Sequence, residues 1–218
     1  EQVIPYGQAP EDGGLLREGS DPFASPMMHS KPTDVFTIKQ DGALVPPDEA
    51  ADHIEAGFNQ RMTDIQAAIG CAQMNRAKDI IRKRKKLAGR YDKSLKVIKW
   101  IQTPSKYLNY EHSYQSYPCL FLPERAKSVI NNLDLNQIKK INKMRNNLMN
   151  ELHNEGISTR PATHAVHMLS YYKNKYNLKS EEFPNAFVAN ECSISLPLFN
   201  GMTEKEQNFV MQKLKEKK

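Results

Sequence analysis

From Ile65 to Leu95, apolar residues return at steps of three, four or their sums: Ile65, Ile69, Ala72, Ile80, Leu87, Tyr91 and Leu95. A stripe with that period occupies one face of an α-helix. Just ahead of it, Thr63-Asp64-Ile65-Gln66 has the S/T-x-x-E/Q form in which two side chains cap a helix start reciprocally. The spacing predicts one helix of about nine turns, on the order of 50 Å long. A helix of that length spans two domains or crosses a subunit boundary. Gly70 and Gly89 are expected to weaken it locally or to permit close packing.

Upstream of the helix the pattern is lost. Pro5, Pro10, Pro22, Pro26, Pro32, Pro46 and Pro47, with Gly13-Gly14 and Gly42, punctuate the first 50 residues, which are expected to be irregular. Downstream, Val97 to Gln102 and Ser113 to Leu122 read as strands. Asp134 to Glu155 returns to helical spacing, with Ile138, Ile141, Leu148 and Leu152 on one face and Gly156 as its stop. Ile157 to Arg160 is expected to be a strand ended by Pro161. A short helix follows, with Tyr171, Tyr172 and Tyr176 expected to pack against the sheet. Another helix begins at Pro184, Ser193 to Leu196 forms a last strand, and Thr203 with Glu206 caps a final helix. Helices and strands in this order, without regular β-α-β alternation, indicate an α+β domain. The divisions are 1–55 (irregular), 56–96 (motif loop and long helix) and 97–218 (α+β domain).

Composition narrows the function classes. The 218 residues are 39% hydrophobic and 26% charged, an ordinary soluble balance. No segment approaches the roughly 20 apolar residues of a membrane helix, and the N-terminus lacks a signal-peptide pattern. The chain opens on Glu1 rather than Met, so its start is expected to be cut or processed. Cys71, Cys119 and Cys192 are far apart, without CxxC pairing, which argues against a disulfide framework or a zinc site. They are expected to be small buried hydrophobes in a cytoplasmic protein. The net charge of +6 is concentrated in Arg82 to Lys86, around Lys139-Lys140 and in the C-terminal lysines. All three segments read as helical, so a solvated helix face explains them. No nucleic-acid-binding motif accompanies the charge, and a nucleic-acid partner is not expected.

Gly57-Phe58-Asn59-Gln60-Arg61-Met62-Thr63-Asp64-Ile65-Gln66-Ala67-Ala68-Ile69-Gly70 is more specific. The run resembles the G-[YF]-N-x-R-[ML]-x-[DE]-x-Q-A-A-[IL]-G block of the DegT/StrS family of pyridoxal-phosphate (PLP) sugar aminotransferases. Three later landmarks keep the family's order. They are His112 to Tyr117, Gly156 to Arg160 continuing to His164 and His167, and Leu196-Pro197-Leu198-Phe199-Asn200-Gly201-Met202-Thr203. Gln60 departs from the aromatic residue often found at its position.

The resemblance implies the C-terminal small domain of a fold type I PLP-dependent transferase, with the long helix linking to an absent or incomplete large domain. It implies PLP as cofactor, an amino donor such as glutamate and a nucleotide-linked keto-sugar as acceptor. It also implies a homodimer, or a complementary subunit carrying the large domain. The family binds its cofactor covalently through a lysine in a serine-containing stretch ahead of a Gly-Glu-Gly-Gly run. Lys31 and Lys39, the lysines that precede Gly57, lack those surroundings, so no catalytic residue is assigned and isolated activity is not expected. A non-catalytic remnant or split-gene partner remains the alternative, and a small basic nucleic-acid-binding protein a weaker one.

By the same resemblance Asn59 donates a hydrogen bond to the PLP phosphate of a neighbouring subunit, and an amide next to a helix start suits that task. Read by itself, Asn59 is equally an ordinary turn residue after Gly57. Arg61 has the planar fork that suits phosphate oxygens and could pair with a phosphate or with the sugar nucleotide, or else forms a structural ion pair at the domain junction. His164 and His167, on a loop after a strand, are candidate substrate contacts, with Arg160 as a further one. The family places a histidine at the position of His167 and often another nearer Ala162. Their three-residue spacing also suits metal ligands, but the sequence offers no third.

Overall fold

The computed structural model describes residues 62–217. The capping box ahead of the first helix forms as read. The Gln66 N–H donates to Thr63 Oγ1 at 3.3 Å, and the Thr63 N–H to Gln66 Oε1 at 2.9 Å. The expected single long helix does not form. Helix α1, Asp64–Met74, ends at Asn75, and α2, Ala77–Leu95, begins after Arg76. The Asn75 and Arg76 N–H groups fold back onto Cys71 O and Gln73 O. The physical reason lies in the stripe, whose next position four residues after Ala72 is taken by Arg76 rather than by an apolar residue. There Asn75 is a better cap than helix former, and Arg76 lies exposed. The two halves differ accordingly: α1 buries none of its residues, whereas α2 buries Arg84, Leu87, Ala88, Tyr91 and Leu95.

The sheet is small and antiparallel, in the order β1-β2-β3, with β1 at Ile101–Gln102, β2 at Tyr117–Phe121 and β3 at Ser193–Leu196. Tyr117 pairs with Leu196 and Leu120 with Ser193 across the β2–β3 register. Both early strands are shorter than the sequence suggests. Lys96 to Trp100 is spent on a turn closed by the Ile98 N–H on Leu95 O. Ahead of β2, Tyr114 adopts a left-handed φ of 53°, and its N–H donates to His112 Nδ1, which holds Ser113 to Ser116 out of the ladder. The expected strand at Ile157–Arg160 reduces to a single bridge between Arg160 and Ser195. Pro161, with no N–H to donate, cannot extend it.

Helices α3 (Pro123–Ser128), α4 (Leu135–Asn154), α5 (Ser170–Tyr176), α6 (Pro184–Cys192) and α7 (Glu204–Glu216) complete the mixed α+β fold. Asp134 caps α4 by accepting from the Asn136 and Gln137 N–H groups. Gly156 follows α4 at φ 79°, a region where a side chain is strained.

The core gathers around Tyr91 and Tyr117, both fully buried with ring centroids 5.0 Å apart. The Tyr91 hydroxyl donates to Pro197 O at 2.8 Å and the Tyr117 hydroxyl to Asp92 Oδ1 at 2.6 Å. Burial pushes both phenols well above the ordinary tyrosine range. Buried Arg84 joins distant segments by donating to the carbonyls of Tyr114, Gln115 and Leu198 at 2.9–3.1 Å. Gln207, fully buried on α7, donates to Leu87 O at 2.8 Å. Trp100 sets its edge against Phe121 and donates its indole N–H to Lys217 O at 3.2 Å.

Two packing expectations are corrected. Tyr172 and Tyr176 on α5 do not lie under the sheet but are 39% and 57% exposed, because α5 rests on the neighbouring 3-10 turn Val166–Met168 rather than on β2 or β3. Cys71 is exposed on α1, while Cys119 and Cys192 are buried as expected.

Candidate functional site

The segment from Arg160 to His167 crosses from the sheet edge to α5 and is tied at two points. Arg160 O accepts from the Ser195 N–H at 2.7 Å, and the Ala165 N–H donates to Asn190 Oδ1 at 3.0 Å. Asn190 lies on α6, whose start at Pro184 uses a residue that has no N–H to leave unpaired. The two ties fix the loop's path, so the side chains between them inherit defined positions.

Those positions separate the two histidines. His164 is exposed, whereas His167 is 7% exposed, its ring 5.0 Å from that of Phe183. Burial lowers the His167 pKa, and the nearby negative charge of Glu182 opposes that only in part. The ring is therefore neutral near pH 7, and its Nε2 finds no partner among the described residues. A buried imidazole in that state needs a hydrogen-bond partner from elsewhere or stands as a cost to the fold. Arg160 is half-buried with its backbone in the bridge. The structure thus brings Arg160, His164 and His167 onto one anchored segment but into three environments. Among the described residues no group of His, Cys, Asp and Glu could hold a metal ion. Asn59 and Arg61 lie outside the described residues, as do Lys31 and Lys39.

Three buried polar groups escaped the sequence reading. Thr159 Oγ1, Ser193 Oγ and Asn200 Oδ1 are each sealed from solvent without a partner among the described residues. Thr159 and Ser193 lie on the segments flanking the Arg160 bridge, and Asn200 precedes Gly201, which sits at φ 111°. The signal available in sequence was a polar residue inside an apolar run, as in Leu198-Phe199-Asn200-Gly201, which reads equally well as a turn.

The described residues do not by themselves fit PLP. A lysine that attacks the cofactor's aldehyde must be kept partly neutral by burial or a neighbouring cation. No described lysine is buried, and Lys106, Lys175, Lys213 and Lys217 are pushed upward by hydrogen bonds to anionic or phenolic partners. At the α1 start the Thr63 and Gln66 N–H groups already serve each other's side chains, so they are not free for a phosphate.

Comparison with known proteins supplies the context. Residues 29–215 match the DegT/DnrJ/EryC1/StrS aminotransferase family. The protein MJ1066 of Methanocaldococcus jannaschii is 30% identical over 151 residues, covering 69% of this chain and 35% of that protein. GDP-perosamine synthase of Escherichia coli is 27% identical over 164 residues, covering 75% of this chain and 38% of the enzyme. The PLP form of a putative sugar aminotransferase of Streptococcus pneumoniae, Spr1654, superposes with a TM-score of 0.55 at 25% identity, over 71% of this chain and 35% of that one. DesV of Streptomyces venezuelae (S. venezuelae), solved with a ketimine intermediate, gives a TM-score of 0.57 at 19% identity and supports the fold alone. The chain spans little more than a third of the curated relatives it matches. With most of its length inside the match, the chain belongs to the DegT/DnrJ/EryC1/StrS aminotransferase family.

Proposed function

We propose that this chain supplies the C-terminal part of a PLP-dependent aminotransferase that moves an amino group from a donor such as glutamate to a nucleotide-linked keto-sugar. The supporting observation is the family match over residues 29–215, which takes in the block from Gly57 to Gly70 and the anchored segment from Arg160 to His167. In this reading the chain is inactive alone, because it offers no lysine in surroundings suited to the cofactor. Asn59 and Arg61 contact the cofactor's phosphate in a neighbouring subunit or complementary chain. Arg160 and His164 face the sugar nucleotide, Arg160 with a fork matched to diphosphate oxygens. Neutral His167 offers the sugar a hydrogen bond without the cost of burying a charge.

The test uses co-expression with the portion of E. coli GDP-perosamine synthase that this chain does not match. Glutamate formed from 2-oxoglutarate is measured with GDP-perosamine and other nucleotide-linked amino sugars as amine donors. Turnover is expected only when both parts and PLP are present. Asn59→Ala should weaken PLP binding by about tenfold or more, the loss of one hydrogen bond to a charged group. Turnover by this chain alone, or none by the pair, defeats the reading.

A further inference from the structure

Helix α5 carries three tyrosines in 7 residues, rests on the turn Val166–Met168 and buries none of its side chains. Tyr172, Lys175 and Tyr176 stand three and four apart and so share one face. The Tyr172 and Tyr176 rings lie within 15° of parallel, with centroids 6.5 Å apart. Both exposed rings therefore hold their planes in nearly one orientation, which a flat ligand can match. Lys175 Nζ stands 5.1 Å from the Tyr171 ring centroid and 5.5 Å from that of Tyr176, and it donates to the Tyr171 hydroxyl at 2.8 Å. Those contacts fix the ammonium beside the rings while leaving it two more N–H groups to donate. The helix also ends firmly: Asn177 takes a φ of 52°, and the Leu178 N–H donates back to Lys173 O at 3.1 Å.

Charge narrows the ligand. From Gly156 to Ser180 the sequence holds Arg160, Lys173, Lys175 and Lys179 and not one Asp or Glu. Glu181 and Glu182 follow, and Glu182 Oε1 is engaged by the Lys179 N–H at 2.7 Å. An apolar partner has no use for the cations, and a simple anion has no use for the rings. A base joined to phosphate uses both, stacking on tyrosine and pairing with lysine. We propose that α5 binds a nucleotide, its base against the Tyr172 and Tyr176 rings and its phosphates on Lys175. This site goes beyond the function proposed above, which places sugar-nucleotide contacts on Arg160 to His167 and uses no residue of α5. A helix of that length is about 10 Å long, room for one base rather than a strand.

The experiment is calorimetric titration of the full chain with GDP, UDP, guanosine and inorganic diphosphate. Every base has a π-face, so GDP and UDP are expected to bind within about tenfold of each other. Guanosine and diphosphate, each lacking half of the ligand, should bind at least about tenfold more weakly than GDP. Tyr176→Leu keeps an apolar side chain but removes the ring, and should weaken GDP binding by about tenfold. Lys175→Gln should flatten the fall of GDP affinity with added salt. Both variants should keep the urea midpoint of the native chain, because α5 buries none of its residues.

Four results would overturn the proposal. The first is no binding of GDP, and the second is diphosphate bound as tightly as GDP. The third is GDP binding that survives Tyr176→Leu but is lost in Arg160→Gln, which would put the nucleotide on the loop instead. The fourth is a twelve-residue oligothymidylate that binds about a hundredfold more tightly than GDP, which would make α5 a single-strand surface. Amino transfer by the co-expressed pair separates the two readings. Tyr176-dependent GDP binding without turnover retains this site and defeats the function, whereas turnover without such binding defeats this site alone.

Discussion

His167 is buried against Phe183 with its pKa lowered, and the sign of its effect follows from that. The unfolded chain takes up a proton near the ordinary histidine value of 6.5, while the folded chain resists until a lower pH. Protons therefore favour unfolding below 6.5, and this proton-linked cost disappears above it. Urea midpoints measured across that window should fall with acid in the native protein and fall less steeply in His167→Gln. The Tyr91 hydroxyl sits in the core on Pro197 O, so Tyr91→Phe should cost about 1–2 kcal/mol by leaving a buried carbonyl unpaired. Neither setting was visible in the sequence. Phe183 reaches His167 and Pro197 reaches Tyr91 only after the chain has folded back, whereas the Thr63–Gln66 and Thr203–Glu206 caps were legible because both partners lie within one turn.

Helix α4 formed within a residue of its expected bounds and α6 and α7 within a residue of their expected starts, each announced by a local stop or start in Asp134, Gly156, Pro184 or Thr203. The strands were less legible, because their length depends on backbone turns such as the left-handed Tyr114 rather than on side-chain alternation. The split between α1 and α2 has the same origin, since the backbone turn at Asn75 and Arg76 outweighs a period that continues beyond it. Two substitutions test the stops and starts by thermal or urea unfolding. Asp134→Ala should cost about 1 kcal/mol through the lost α4 cap. Gly156→Ala should cost about 1–2 kcal/mol from the positive φ alone, because no atom lies within 4 Å of the added methyl group.

Across the molecule, stability depends on links between distant parts of the chain, such as Arg84 to Leu198 and Gln207 to Leu87. Periodicity placed Arg84 and Gln207 on helices but could not pair them with carbonyls more than a hundred residues away. The last helix is secured similarly, with Lys213 and Lys217 meeting Glu155 at 2.7 and 3.0 Å. Their hydrogen bonds hold the Glu155 carboxyl below its ordinary value of 4.5. That contribution is present above 4.5 and is lost as pH falls through the depressed value. Glu155→Gln should therefore lower the unfolding midpoint near neutrality and narrow the gap to the native protein in stronger acid, as followed by circular dichroism.

Trp100 is the chain's only tryptophan, and it touches both the β-sheet core, through Phe121, and the backbone of Lys217 near the C-terminus. Its fluorescence is therefore a built-in optical gauge of whether the tail is seated. An emission shift that precedes the loss of helical signal during denaturation would mark fraying of the last turn. Coincident changes would mark α7 as part of the same cooperative unit as the sheet.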